Sequence, residues 1–185
     1  MQQHINSWEQ SRDKRHIFLS CYRMMTANML EAVQKGEFQD REWVDKLLHR
    51  FADYYFDALA CFDCGDDVPA VWQQVHAKTR EEKLHILQYL FLGINAHINY
   101  DLVLTLRDML QPEWHGLSET ERNLRYADHC KVNEVIAATI DQVQDEIIEP
   151  RNAFMAFIDR AFGRLDEYLL SGSSQAGERM FGKSM

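Results

Sequence analysis

Little in this chain can interrupt a helix. It has three prolines (Pro69, Pro112 and Pro150) and eight glycines, four of them at position 163 or later. The stretch from 6 to 170 is left with few breakers, which disfavours a strand-rich fold. No window keeps the alternation of a half-buried strand, and no repeat of fixed period runs through the chain. Basic residues are in short supply. Twenty Lys and Arg stand against 29 Asp and Glu, a formal net charge of −9, which argues against a nucleic-acid surface. Apolar runs stop well short of the about 20 residues of a membrane span. Residues 1–15 carry no apolar stretch of the kind a secretory signal needs. The expected location is therefore cytoplasmic, with the four cysteines reduced. A Gly-x-Ser-x-Gly elbow, a Gly-rich phosphate loop and a Rossmann fingerprint are missing.

What is present is helical periodicity. At 46% hydrophobic and 26% charged over 185 residues, the chain suits one domain with a sizeable core. Residues 6–34 repeat Ile17, Phe18, Cys21, Met24, Met25 and Met29 at three- and four-residue steps, ending at Gly36. Asp40 suits an N-cap for a helix over 41–62, whose buried stripe includes Trp43, Leu47, Phe51, Tyr55 and Leu59. Pro69 opens a short helix through Val75. Residues 81–110 are apolar nearly all round, which predicts a central helix surrounded by others. Ser118 with Glu121 reads as a capping box opening a helix over 119–149. A last helix is expected over 152–170. The expected fold is an all-α single-domain bundle, residues 1–170, with five long helices and one short one wrapped around the central buried helix. Residues 171–185 are expected to be a flexible C-terminal tail.

Polar residues set into the central helix are the candidate site. His97 and Asp101 stand four apart, on one face. A buried carboxylate needs a partner, and His-x-x-x-Asp can offer one nitrogen and one oxygen to a divalent metal ion. The simpler use is an internal hydrogen-bonded pair that fixes packing. Asn95 and Asn99 form a second pair at the same spacing, with Gln88 on their stripe. Gly93, costly in mid-helix, suggests close approach of a neighbour. Two further helices offer carboxylates with histidines: Asp53 and Asp57 with His49, and Asp128 with His129. Asp53 and Asp128 are thus the weaker metal candidates beside His97 and Asp101. Cys61 and Cys64 form an isolated Cys-x-x-Cys, without the second pair or the βαβ setting that zinc or thioredoxin chemistry requires.

These residues also carry a resemblance. Leu-Gly-Ile-Asn-Ala-His-Ile-Asn-Tyr-Asp-Leu (92–102) is similar to the signature of the bacterial domain-of-unknown-function family numbered 5995, a Gly-Met-Asn-Ala-His-Ile-Asn-x-Asp-Leu run. Phe-Ala-Asp-Tyr-Tyr-Phe (51–56) resembles its Phe-Ala-x-Arg-Tyr-Phe stretch. Asp128 with Val132 and Asn133 resembles Asp-Phe-x-x-Val-Asn. Tyr54 stands where that pattern has Arg, His129 where it has Phe, and Arg179 has no following Trp. With Asp166 and Glu167, the likeness covers roughly 18 to 170. It implies an all-α fold and a polar core or ligand site of Asn95, His97, Asn99 and Asp101, with Asp128, Asn133 and Tyr55 nearby. It brings no activity. The central pair is also similar to the His-x-x-x-Asp pairs of zinc-dependent phospholipase C, although the remaining ligands of those enzymes are not evident.

Three functional readings follow. One is a helical protein whose polar core specifies packing. Another is a metal-dependent hydrolase of a small or phosphorylated substrate, with His97 and Asp101 as ligands. The third is a bundle that binds a small-molecule ligand. Nucleic acid and membrane are not expected partners, and a homodimer through an exposed helix face stays open.

Overall fold

The computed structural model describes residues 1–80 and 84–147, with side chains as far as Thr139. Within it Met1–Glu149 packs as one unit. Every regular element among the described residues is helical: α1 (Gln2–Ser11), α2 (Arg15–Gln34), α3 (Arg41–Cys64), α4 (Ala70–Thr79), α5 (Ile86–Ala96), a π-helical turn (His97–Leu102), α6 (Val103–Leu110) and α7 (Glu119–Ile147). The all-α bundle expected from the sequence is what forms. The last expected helix, 152–170, and the tail lie outside the described residues.

Helix ends follow local chemistry. Asp40 accepts from the Trp43 backbone N–H at 3.0 Å and starts α3. Ser118 and Glu121 exchange side-chain to backbone bonds at 3.3 and 2.7 Å and start α7. Gly36 and Gly65 follow α2 and α3 with positive φ, the conformation that closes a helix.

Two boundaries differ from the sequence reading. The expected first helix is two. Arg12 takes φ 59, the Asp13 N–H reaches back to the Trp8 carbonyl, and the Asp13 carboxylate accepts from the Arg15 N–H to begin α2. The central helix begins at Ile86 instead of 81. His85 and Gln88 form the capping exchange there: His85 accepts from the Leu87 N–H, and Gln88 accepts from the His85 N–H.

The α5–π–α6 run packs against α2, α3 and α4. It is not covered on every side: Val103 is 50% exposed and Ile86 37%. Long α2 shares the organising role, touching α1, α3, α5 and α7. One apolar cluster joins α2 and α3 through Met29, Val33, Trp43, Val44 and Leu47, with Leu106, Met109, Val132 and Ile136 packed against it. A second, aromatic cluster surrounds the π turn and forms the candidate site.

Candidate functional site

The π turn carries both members of the central pair. A π segment widens the helix to an i→i+5 pattern, is rare and occurs mostly as single turns. Here it spans His97 to Leu102, and His97 (3% exposed) and Asp101 (0% exposed) are both buried. His97 Nδ1 lies 2.7 Å from Asp101 Oδ2. From α4, Trp72 donates its indole N–H to both oxygens of the same carboxylate, at 2.9 and 3.1 Å. One turn on, the Thr105 hydroxyl donates to the Asp101 carbonyl at 2.8 Å. Asp101 is therefore an acceptor on both oxygens, so Nδ1 of His97 carries the proton and Nε2 is left with its lone pair.

That nitrogen is buried and has no hydrogen-bond partner. Rings close round it. Phe51 stacks flat on His97 (centroids 3.7 Å, 10° between planes), and Tyr22 meets it edge-on at 4.4 Å. Phe18, Tyr55 and Trp72 complete the box at 5.7, 5.9 and 6.3 Å. Burial pushes the His97 imidazole below its ordinary value, more than the Asp101 carboxylate raises it. His97 is thus a neutral base in an apolar box, its tautomer fixed by Asp101. Burial likewise raises the Tyr22 and Tyr55 phenols well above their ordinary value. Phe51, on α3, is only half-buried, so a single ring separates the imidazole face from solvent. Gly93 makes the box compact, because a Cβ there would lie 2.4 Å from the Phe18 ring.

The other candidates fall elsewhere. Asn95 and Asn99 are exposed and bonded to each other, Nδ2 to Oδ1 at 2.9 Å. They face outward because positions two residues away from His97 and Asp101 leave the helix on another side. Tyr55 is in the box. Asp128 is buried but accepts from the backbone N–H groups of Gln39 and Asp40, at 2.6 and 2.8 Å, and so steadies the entrance to α3. Asn133 is half-buried on α7, one turn past His129. Asp53 and His49 are exposed on α3. Among the described residues no group of three or more His, Cys, Asp and Glu could hold a metal ion. The central pair offers only Nε2, since its other donor atoms face each other or Trp72. Cys61 is half-buried and Cys64 exposed, both free. Tyr54, the departure from the Arg pattern, donates to Asp108 at 2.6 Å, and Arg50 one turn earlier binds the same oxygen at 2.7 Å.

Sequence reasoning missed Trp72 and gave Phe51 only a place in the core stripe. A buried indole needs an acceptor for its N–H, so a Trp on a short helix and an isolated carboxylate in an apolar helix could have been paired on chemistry alone. Nothing local marks Phe51, Phe18 and Tyr22 as neighbours of one imidazole.

No helix of the described residues is long and apolar enough to cross a membrane. Residues 1–176 match the Family of unknown function (DUF5995). No curated protein and no solved structure matches the chain.

Proposed function

The chain belongs to DUF5995, a family without an assigned activity, and from the site alone we propose a helical binding bundle in which His97 Nε2 accepts a hydrogen bond from a small molecule. The observation that carries this is the buried, unpartnered acceptor on His97. An unsatisfied buried acceptor costs about 1–3 kcal/mol, and it sits on a π turn, a rare element found frequently at functional sites. A cost left standing on such a turn supports a site kept for a purpose other than stability.

The chemistry sets the ligand class. A neutral imidazole with Nδ1 fixed by a carboxylate recognises a hydroxyl or N–H donor. A box of aromatic faces favours a flat, uncharged body. The same nitrogen would act as a general base toward an acidic proton. Entry requires the half-buried Phe51 ring to turn aside. A thermal-shift screen of phenols, alcohols and N–H heterocycles tests this at pH 7. Hits should raise the melting temperature of the native protein and lose that effect in His97→Gln. A panel with no hit selective for the native protein removes the reading.

A second reading has its own support. Asp101 has both oxygens bonded, from two different helices, as a packing brace requires. Under this reading His97→Ala is strongly destabilising, because it strips a donor from a buried carboxylate, and nothing binds at Nε2.

A further inference from the structure

A second buried histidine packs against Trp72. His76, on α4, is 1% exposed, and neither of its ring nitrogens has a hydrogen-bond partner. Its ring stacks on Trp72 (5.3 Å, 22°) and leans on Phe62 of α3 (4.9 Å, 47°). In either tautomer it leaves one N–H and one lone pair unpaired. Protonated, it would place two unpaired donors and a charge in an apolar setting.

The charged groups that face it offer no relief. Arg15 of α2 and Arg80 just past α4 oppose a positive ring. Asp13, before α2, and Asp63, on α3, favour one, but both are held by the Arg15 guanidinium at 2.7 and 2.6 Å. On the central helix, the Asp101 carboxylate is taken by Trp72 and His97. Burial accordingly pushes His76 down to about 4.

The helix that carries it is short and depends on its buried face. α4 has ten residues, too few to stand as an isolated helix. What holds it is the face of Trp72, Val75, His76 and Thr79, and Trp72 is the residue whose N–H ties Asp101. We propose that α4 is an acid-released latch over the His97–Asp101 pair, with His76 as its proton sensor. A proton taken from solvent puts a charge on the imidazole that only water can satisfy. α4 then leaves α3 and α5, the Trp72 N–H leaves Asp101, and the pair beneath is opened. The use of such a latch rests on reading His97 as a ligand acceptor; the release does not.

A drop from the ordinary 6.5 to about 4 corresponds to roughly a hundredfold change in the opening equilibrium between pH 7 and pH 4. Hydrogen exchange followed by mass spectrometry on the full chain measures it, with intrinsic rates corrected for pH. Opening within 70–79 should rise about a hundredfold over that range, far more than within α2. In His76→Phe the rise should shrink at least tenfold, the remainder being what His97 takes up once uncovered; His76→Gln serves if the Phe variant does not fold. A rise as large in the variant, or loss of protection that is uniform across α2, α3 and α4, overturns the latch. The thermal-shift screen at pH 7 fails or succeeds independently of this result.

Discussion

At the scale of single residues, the site depends on how closely Phe18 approaches the central helix. Phe18 reaches His97 only because position 93 lacks a Cβ. Gly93→Ala should therefore destabilise the protein, against the usual preference for Ala in a helix. The clash at 2.4 Å is an overpacking fault worth about 1–3 kcal/mol, more than the about 1 kcal/mol of helix propensity gained. A lowered midpoint in urea unfolding checks it; a raised one would mean that the Phe18 ring moves aside at little cost. The cysteines give a second residue-level test. Cys21 is buried and its thiol pushed up to about 12, whereas Cys64 is exposed. A thiol reagent at pH 8 should modify Cys64 first and reach Cys21 only in denaturant, as peptide mapping of a time course would record.

At the scale of elements, α3 is held at its start from two directions. Its own Asp40 caps it, and Asp128 of α7 accepts the N–H groups of Gln39 and Asp40 just before it. Arg125 adds a bond to Asp40 at 2.6 Å. Removing the Asp128 carboxylate leaves those N–H groups unpaired, so Asp128→Ala should cost about 2–3 kcal/mol. Asp40→Ala should cost about 1 kcal/mol, the ordinary worth of a cap. If equilibrium unfolding ranks the two in the opposite order, the inter-helix tie is weaker than its geometry implies. The π turn belongs to this scale as well. It lies where α5 passes to α6, and it holds His97 and Asp101 in contact while the exposed Asn95 and Asn99 turn to the other side.

At the scale of the whole molecule, titration should be asymmetric about neutrality. His16, His76 and His97 are all lowered from 6.5, burial being the leading cause in each. Their folded state binds fewer protons than the unfolded chain, so the stability they contribute is complete above pH 6.5 and lost progressively below it. Carboxylates act lower. Asp40 is lowered by the Trp43 N–H and Arg125, and Asp13 by Arg15 against the opposing effect of burial. Their contribution is lost only below about 3.8, the ordinary value of Asp. The melting temperature should thus begin to fall already near pH 6, before Asp13 or Asp40 is protonated. A melting temperature flat from pH 7 to pH 4.5 would contradict the burial of these histidines.

The helical class, the caps at Asp40 and Ser118, and the proximity of His97 to Asp101 were legible in the sequence, since each depends on residues within four positions of one another. So was the need for Asp101 to find a partner, which follows from the cost of burying a charge. Only the tertiary structure decided that this partner is Trp72, that Asp128 serves a different helix, and that Asn95 and Asn99 face outward. It also decided that a ring from α3 covers the imidazole. Those outcomes depend on which helices meet and at what rotation. Spacing along one helix carries no record of the helix packed against it.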